Sequence, residues 1–114
     1  MPYLSIQTNQ GPDQINTNEL LRKASLTVAE ILGKPESYVM VALPDPVPMM
    51  FAGSSEPLAY LELKSIGLPD AQTSQLSQSL CALISDQLGI DQNRVYIEFS
   101  NAPGNLWGWD GGTF

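Results

Sequence analysis

The chain opens Met1-Pro2, and removal of the initiator methionine would leave the secondary amine of proline as the N-terminus. Inside a chain proline fixes φ and lacks an N–H, but at a free terminus its nitrogen carries a lone pair and can act as a base. Position alone is thin support, because most chains that begin this way use the proline for nothing, and with methionine retained there is no prolyl amine. The company it keeps adds weight, namely Gly33-Lys34-Pro35, Ser65-Ile66-Gly67 and an aromatic-rich tail ending Thr113-Phe114. Histidine is absent, which removes the usual general base, the commonest zinc ligand and every Ser-His or Cys-His nucleophile. Cys81 is the only cysteine, so no intrachain disulfide can form, and its setting in Leu80-Cys81-Ala82-Leu83-Ile84 reads as that of a small buried hydrophobe.

Composition narrows the field further. Twelve acidic residues against five basic ones give a net charge of −7, the wrong sign for attracting a phosphate backbone, so nucleic acid is not an expected partner. The first residues alternate polar and apolar without the pattern of a signal peptide, and no stretch approaches transmembrane length. The expectation is a soluble cytoplasmic protein, without membrane association. At 114 residues the chain fits one domain spanning 1–114, small enough that a large cleft is hard to bury within one subunit.

The elements that must position these groups follow from hydrophobic period. Tyr3 to Thr8 reads as a strand with Leu4 and Ile6 on one side, broken at Gly11-Pro12-Asp13. Asn16 with Glu19 resembles a capping box, and Leu20, Ala24, Val28 and Ile31 or Leu32 recur at helical spacing until Gly33. Tyr38 to Leu43 is predicted as a second strand, stopped by Pro44-Asp45-Pro46, and the Pro- and Met-rich stretch from Pro46 to Pro57 as an irregular connection. A third strand over Leu58 to Ile66 alternates Leu61 and Leu63 with Tyr60, Glu62 and Lys64. Leu76, Leu80, Leu83, Ile84 and Leu88 mark a second helix closed by Gly89, and Arg94 to Phe99 a fourth strand. Ile31-Leu32-Gly33 before Tyr38-Val39-Met40-Val41 corresponds to Gln87-Leu88-Gly89 before Arg94-Val95-Tyr96-Ile97, so the halves repeat. Two right-handed βαβ units make a four-stranded mixed sheet with both helices on one face. The other face then requires cover, which makes subunit association a physical expectation.

In this order and spacing the motifs resemble the macrophage migration inhibitory factor and dopachrome tautomerase family of the tautomerase superfamily. The likeness runs through almost the whole chain: Met1-Pro2, Gly33-Lys34-Pro35, Pro44-Asp45, the run from Phe51 to Pro57, Ser65-Ile66-Gly67, Arg94-Val95-Tyr96-Ile97, Gly108-Trp109 and Thr113-Phe114. It implies a homotrimer whose three sheets enclose a central channel, with small strands extending neighbouring sheets and active sites at subunit interfaces. It also implies that Pro2 is the catalytic base, that Lys34 and the backbone of Ile66 bind the substrate carboxylate or carbonyl, and that Tyr96 enters from the adjacent subunit. Trp107 and Phe114 would line the pocket, and Tyr38 its rim. No cofactor is implied.

Keto–enol tautomerisation needs a base near its effective pKa and stabilisation of the developing enolate. An α-amine titrates at roughly 7.7–8.0, and apolar neighbours such as Tyr3, Ile66, Tyr96, Trp107 and Phe114 would lower that value, as would the Lys34 ammonium. The same charge can pair with a 2-keto-acid carboxylate; on its own it would read as a cation beyond a helix C-terminus. Trp109 reads as a packing aromatic.

Some positions depart from the family pattern. A Cys-x-x-Cys motif of some members is replaced by Leu58 and Leu61, which removes any thiol oxidoreductase activity. Glu98 replaces an asparagine that contacts the aromatic end of the substrate, so hydroxyphenyl groups are tolerated and diacids disfavoured, unless Glu98 points to solvent from an edge. Trp107 and Tyr3 enlarge the aromatic surface, which predicts a narrow site favouring flat arylpyruvates over bulky dopachrome esters. The leading expectation is a cofactor-free, homotrimeric phenylpyruvate-type tautomerase. A cytokine-like signalling or interaction protein with a vestigial site, leaderless secretion included, is the alternative. Dehalogenation or decarboxylation ranks third, because Arg22 and Arg94 are the only arginines.

Overall fold

The structure, a computed structural model, describes residues 1–114 except Pro12 and Gln14, so the proposed break at Gly11-Pro12-Asp13 includes a proline that lies outside the described residues. Strand β1 (Pro2–Thr8) is followed by helix α1 (Thr17–Leu32) and strand β2 (Met40–Ala42). The second half repeats the pattern with β3 (Ala59–Ile66), α2 (Thr73–Leu88) and β4 (Val95–Ala102), and a short hairpin of β5 (Gly108–Trp109) and β6 (Gly112–Thr113) closes the chain. The sheet order is β2-β1-β3-β4, parallel within each βαβ unit and antiparallel where β1 meets β3.

Local chemistry sets the helix limits. The Asn16 side chain accepts from the Glu19 N–H at 3.2 Å, and Glu19 pairs with Lys23 at 2.9 Å one turn on. At the other end Gly33 takes a left-handed conformation, φ 64°. The Gly33 N–H donates to the Glu30 carbonyl and the Lys34 N–H to that of Ala29 at 3.0 Å, the paired bonds of a Schellman ending. Gly89 ends α2 in the same conformation, φ 65°, as the internal repeat requires.

One sheet face is the core. Leu4 and Ile6 from β1 and Leu61 and Leu63 from β3 are fully buried against Leu20, Ala24 and Val28 of α1 and Leu76, Leu80 and Ile84 of α2. Each such leucine or isoleucine contributes about 1.5–3 kcal/mol by leaving water. Leu58 and Leu61 belong to this buried set.

The opposite face carries Tyr3, Ser5 and Gln7 beside Tyr60, Glu62 and Lys64, all of them partly or fully exposed, and no element of the described chain is layered over it. Edge strand β4 adds Tyr96 and Glu98. There the Tyr60 hydroxyl donates to a Glu98 carboxylate oxygen at 2.5 Å, and Lys64 lies 3.6 Å from Glu62. Accepting that bond, Glu98 pushes the Tyr60 phenol up to about 12, with desolvation adding to the rise.

Two expected boundaries are corrected. Strand β2 covers only Met40–Ala42, because Glu36–Tyr38 close a 3-10 turn in which the Tyr38 N–H reaches the Pro35 carbonyl at 3.1 Å. Tyr38 is therefore a turn residue. The fourth strand begins one residue after Arg94 and runs on to Ala102, pairing with β3 along its length.

Candidate active site

Pro2 starts β1 opposite Ser65 of β3 and is fully buried. At the first position of a strand its missing N–H leaves no interior ladder bond unmade. In the chain bearing Met1 its nitrogen is a tertiary amide, and the free amine belongs to Met1. Burial, and then the charge of Lys34, hold that amine below its ordinary 8.0. The Schellman ending of α1 is what brings Lys34 to this end of the sheet.

Two cavities meet at Met1. One, of about 500 Å³, is lined by Pro2, Tyr3, Tyr38, Met40, Trp107 and Trp109 among others. The second, about 240 Å³, is bounded by Lys34, Pro35, Tyr38, Ile66 and Phe114. The chain thus brings together Pro2, Lys34, Tyr38, Ile66, Trp107 and Phe114 at one end of the sheet.

The C-terminal segment supplies the aromatic wall. Asp110 and Gly111, with φ of 49° and 81°, form the two-residue turn between β5 and β6 that favours positive φ at both positions. Trp109 then stacks on Phe114 with centroids 5.7 Å apart and meets Tyr38 edge-on at 5.9 Å. Trp109 thus packs among aromatic rings, as read from sequence, and also lines the larger of the two cavities. The Asp110-Gly111 pair, a hairpin signal, was the clue that could have placed it beside Phe114.

Phe114 is held by its own N–H, which reaches the carbonyls of Gly104 at 3.1 Å and Trp107 at 3.3 Å. A Cβ on Gly104 would fall 2.8 Å from a backbone oxygen of Phe114 and 3.0 Å from its backbone carbon, so Phe114 would have to shift to make room. Gly104→Ala is therefore expected to displace Phe114, losing near-UV circular dichroism from the Trp109 stack and about 1–3 kcal/mol of stability to urea; an unchanged spectrum would show that the tail tolerates the methyl.

Tyr96 and Glu98 stand apart from this cluster. Tyr96 pairs through Tyr60 with Gln7, and Gln7 lies five residue steps along β1 from Pro2, roughly 17 Å. It borders an open apolar groove of about 580 Å³ with Gln7, Met50 and Phe51. Glu98 is exposed and engaged by Tyr60. Neither arginine joins Pro2. Arg22 is exposed on α1, and Arg94 is committed to backbone carbonyls, which weakens the dehalogenase and decarboxylase readings. Among the described residues no group of three or more His, Cys, Asp and Glu could hold a metal ion, and no helix is long and apolar enough to cross a membrane.

Two repeated βαβ units, with the N-terminal residues buried beside a lysine in an aromatic-walled cavity, define the tautomerase class of α/β proteins. Within that class the chain belongs to the macrophage migration inhibitory factor family, whose model matches residues 1–114. It is 41% identical over 116 residues to a macrophage migration inhibitory factor homolog of Brugia malayi, covering 100% of this chain and 99% of that one. It is 37% identical to the Meriones unguiculatus macrophage migration inhibitory factor over 116 residues, 100% of this chain and 99% of the relative. Among solved structures, the Prochlorococcus marinus homologue superposes with a TM-score of 0.88 at 44% identity, covering 98% of both chains. The Trichinella spiralis protein gives 0.92 at 34% identity, covering 98% of this chain and 99% of that one. Family membership supports isomerase activity of the tautomerase type, or cytokine-like function, in general terms.

Proposed function

We propose that the chain is a cofactor-free keto–enol tautomerase of phenylpyruvate-like 2-keto acids, with Pro2 as general base once Met1 is removed. The observation that carries this reading is the buried N-terminus of β1, with Lys34 close enough to depress the adjacent amine, opening on an aromatic-walled cavity. In the forward direction the neutral Pro2 amine takes a proton from the carbon beside the keto group. The bond electrons move into the new carbon–carbon double bond, and the carbonyl oxygen becomes an enolate oxygen. Lys34 pairs with the substrate carboxylate and offsets the growing negative charge, while the backbone of Ile66 orients the carboxylate or carbonyl. The prolinium returns the proton to oxygen, so no net proton is consumed. Trp107, Tyr38 and Phe114 enclose the aryl ring, and the added bulk of Trp107 and Tyr3 favours flat arylpyruvates over dopachrome esters.

The working unit in this proposal is a homotrimer formed in the cytoplasm. Its support is the uncovered sheet face and the position of Tyr96, whose ring is too far from its own Pro2 to serve that site and is exposed on the edge strand. Glu98 would enter the neighbour's pocket by the same route, there to accept a bond from a phenolic hydroxyl. The test is phenylpyruvate enolisation by protein whose N-terminus is confirmed by intact mass and whose assembly is measured by native mass spectrometry. Turnover by a trimer is the expected result, and a correct trimer that leaves phenylpyruvate unchanged would sink the assignment.

A signalling or interaction role is the second reading, favoured by the cytokine names of the relatives. In that case a biological effect survives loss of the prolyl amine.

A further inference from the structure

The segment from Phe51 to Pro57 supplies no residue to the cavity at Pro2, yet its backbone is gripped by one side chain. Phe51 and Ser54 exchange N–H···O bonds of 2.9 and 3.0 Å across Ala52 and Gly53, whose φ values are 54° and 74°. An alanine held at positive φ is strained by its Cβ, so this turn needs outside support. Arg94 provides it. Nη1 donates to the Phe51 carbonyl at 3.2 Å, Nη2 to those of Ser54 and Glu56 at 3.0 and 3.1 Å, and Nε to that of Pro57 at 3.0 Å. The guanidinium carbon also lies 5.4 Å from the Phe51 ring centroid.

The other partner of the Phe51 ring is Tyr96, with centroids 4.6 Å apart and planes inclined by 38°. Arg94 precedes Tyr96 by two residues, so one strand start carries both the clamp and the ring that the clamped turn supports. We propose that Arg94 is a positioning residue: by fixing the Phe51–Pro57 turn it holds Phe51 against Tyr96 and sets the angle at which Tyr96 is presented to the neighbouring subunit's substrate. This inference rests on the trimer and on the role of Tyr96 proposed above. Only the planar five-donor fork of arginine can satisfy four carbonyls at once, whereas lysine keeps the charge and loses the geometry. With four N–H groups already engaged, Arg94 is poorly placed to serve as an anion site.

The test compares Arg94→Lys, Phe51→Leu and the double variant, each verified as a trimer. The expected result is a KM for phenylpyruvate raised about five- to tenfold in each single variant with kcat within about twofold, because the Pro2 chemistry is untouched. The double variant should be no worse than the poorer single one, since both act through the same ring. Nuclear magnetic resonance supplies a readout independent of turnover: the Tyr96 ring-proton shifts, set by the Phe51 ring current, should move in both single variants. Unmoved Tyr96 shifts in Arg94→Lys, a KM that stays level while kcat falls, or multiplicative effects in the double variant would each overturn the proposal. A parent trimer with no phenylpyruvate turnover sinks the tautomerase reading alone. The Tyr96 shifts then decide the positioning role by themselves, displaced shifts sustaining it and unmoved ones ending it.

Discussion

Protein that keeps Met1 is expected to enolise phenylpyruvate at least about a hundredfold more slowly than methionine-free protein, the scale of a lost general base. Acylation by Met1 turns the Pro2 nitrogen into an amide, whose lone pair is delocalised into the carbonyl and no longer basic. The primary amine of Met1 is displaced by a residue, so whatever base it supplies acts from the wrong place. Inserting one alanine between Met1 and Pro2 should reproduce the loss after methionine removal, while far-UV circular dichroism stays that of the parent. In the cleaved protein the same surroundings that lower the Met1 amine from 8.0, burial first and Lys34 second, should act on the prolyl amine. A lowered amine pKa means the neutral base accumulates at lower pH, so kcat/KM should climb with pH and reach half its plateau below the pH at which an unperturbed prolyl amine would do so. Equal activity in cleaved and acylated forms would exclude Pro2 as the base.

Replacing Lys34 by alanine should lower kcat/KM for phenylpyruvate about tenfold to a hundredfold, the worth of a charge-assisted bond to a carboxylate. A second signature accompanies it. Removing a positive charge beside the amine lets the ammonium form persist to higher pH, so the rising limb of the profile moves up. Lys34→Arg keeps the charge and should retain that limb near its original position. If Lys34→Ala changes neither rate nor profile, Lys34 is only a cation beyond the end of α1, worth under about 1 kcal/mol.

Much of the frame could be read in advance because it rests on local chemistry. Asn16, Gly33 and Gly89 mark helix ends through backbone conformation and a single cap bond, and the alternation of Leu61 and Leu63 with Tyr60 and Glu62 fixes which face of β3 is buried. The cluster of Pro2, Lys34, Ile66 and Phe114 followed from the family likeness, not from spacing, because it joins both ends of the chain with the ends of α1 and β3. Tyr38 looked like strand because the apolar run from Val39 to Leu43 continues its pattern, and the 3-10 turn that claims it depends on Pro35 and Glu36 carbonyls. The clamp at Arg94 was not legible, since its acceptors are backbone carbonyls and any sequence supplies those. The bond from Tyr60 to Glu98 was equally hidden: in the register Tyr60 faces Tyr96 and Glu62 faces Glu98, so the pair meets diagonally.

Met1 and Phe114 border the same cavity of about 240 Å³, which has a practical consequence for anyone handling the protein. A purification handle or fluorescent reporter fused to either end begins at the wall of that cavity, so neither end is a neutral attachment point. The neighbouring ends also suit circular permutation: a short peptide could bridge them and move the break to an exposed loop elsewhere in the chain. Such a permutant would hold the prolyl nitrogen in an amide, and under the proposed mechanism it would be inactive without altering any side chain.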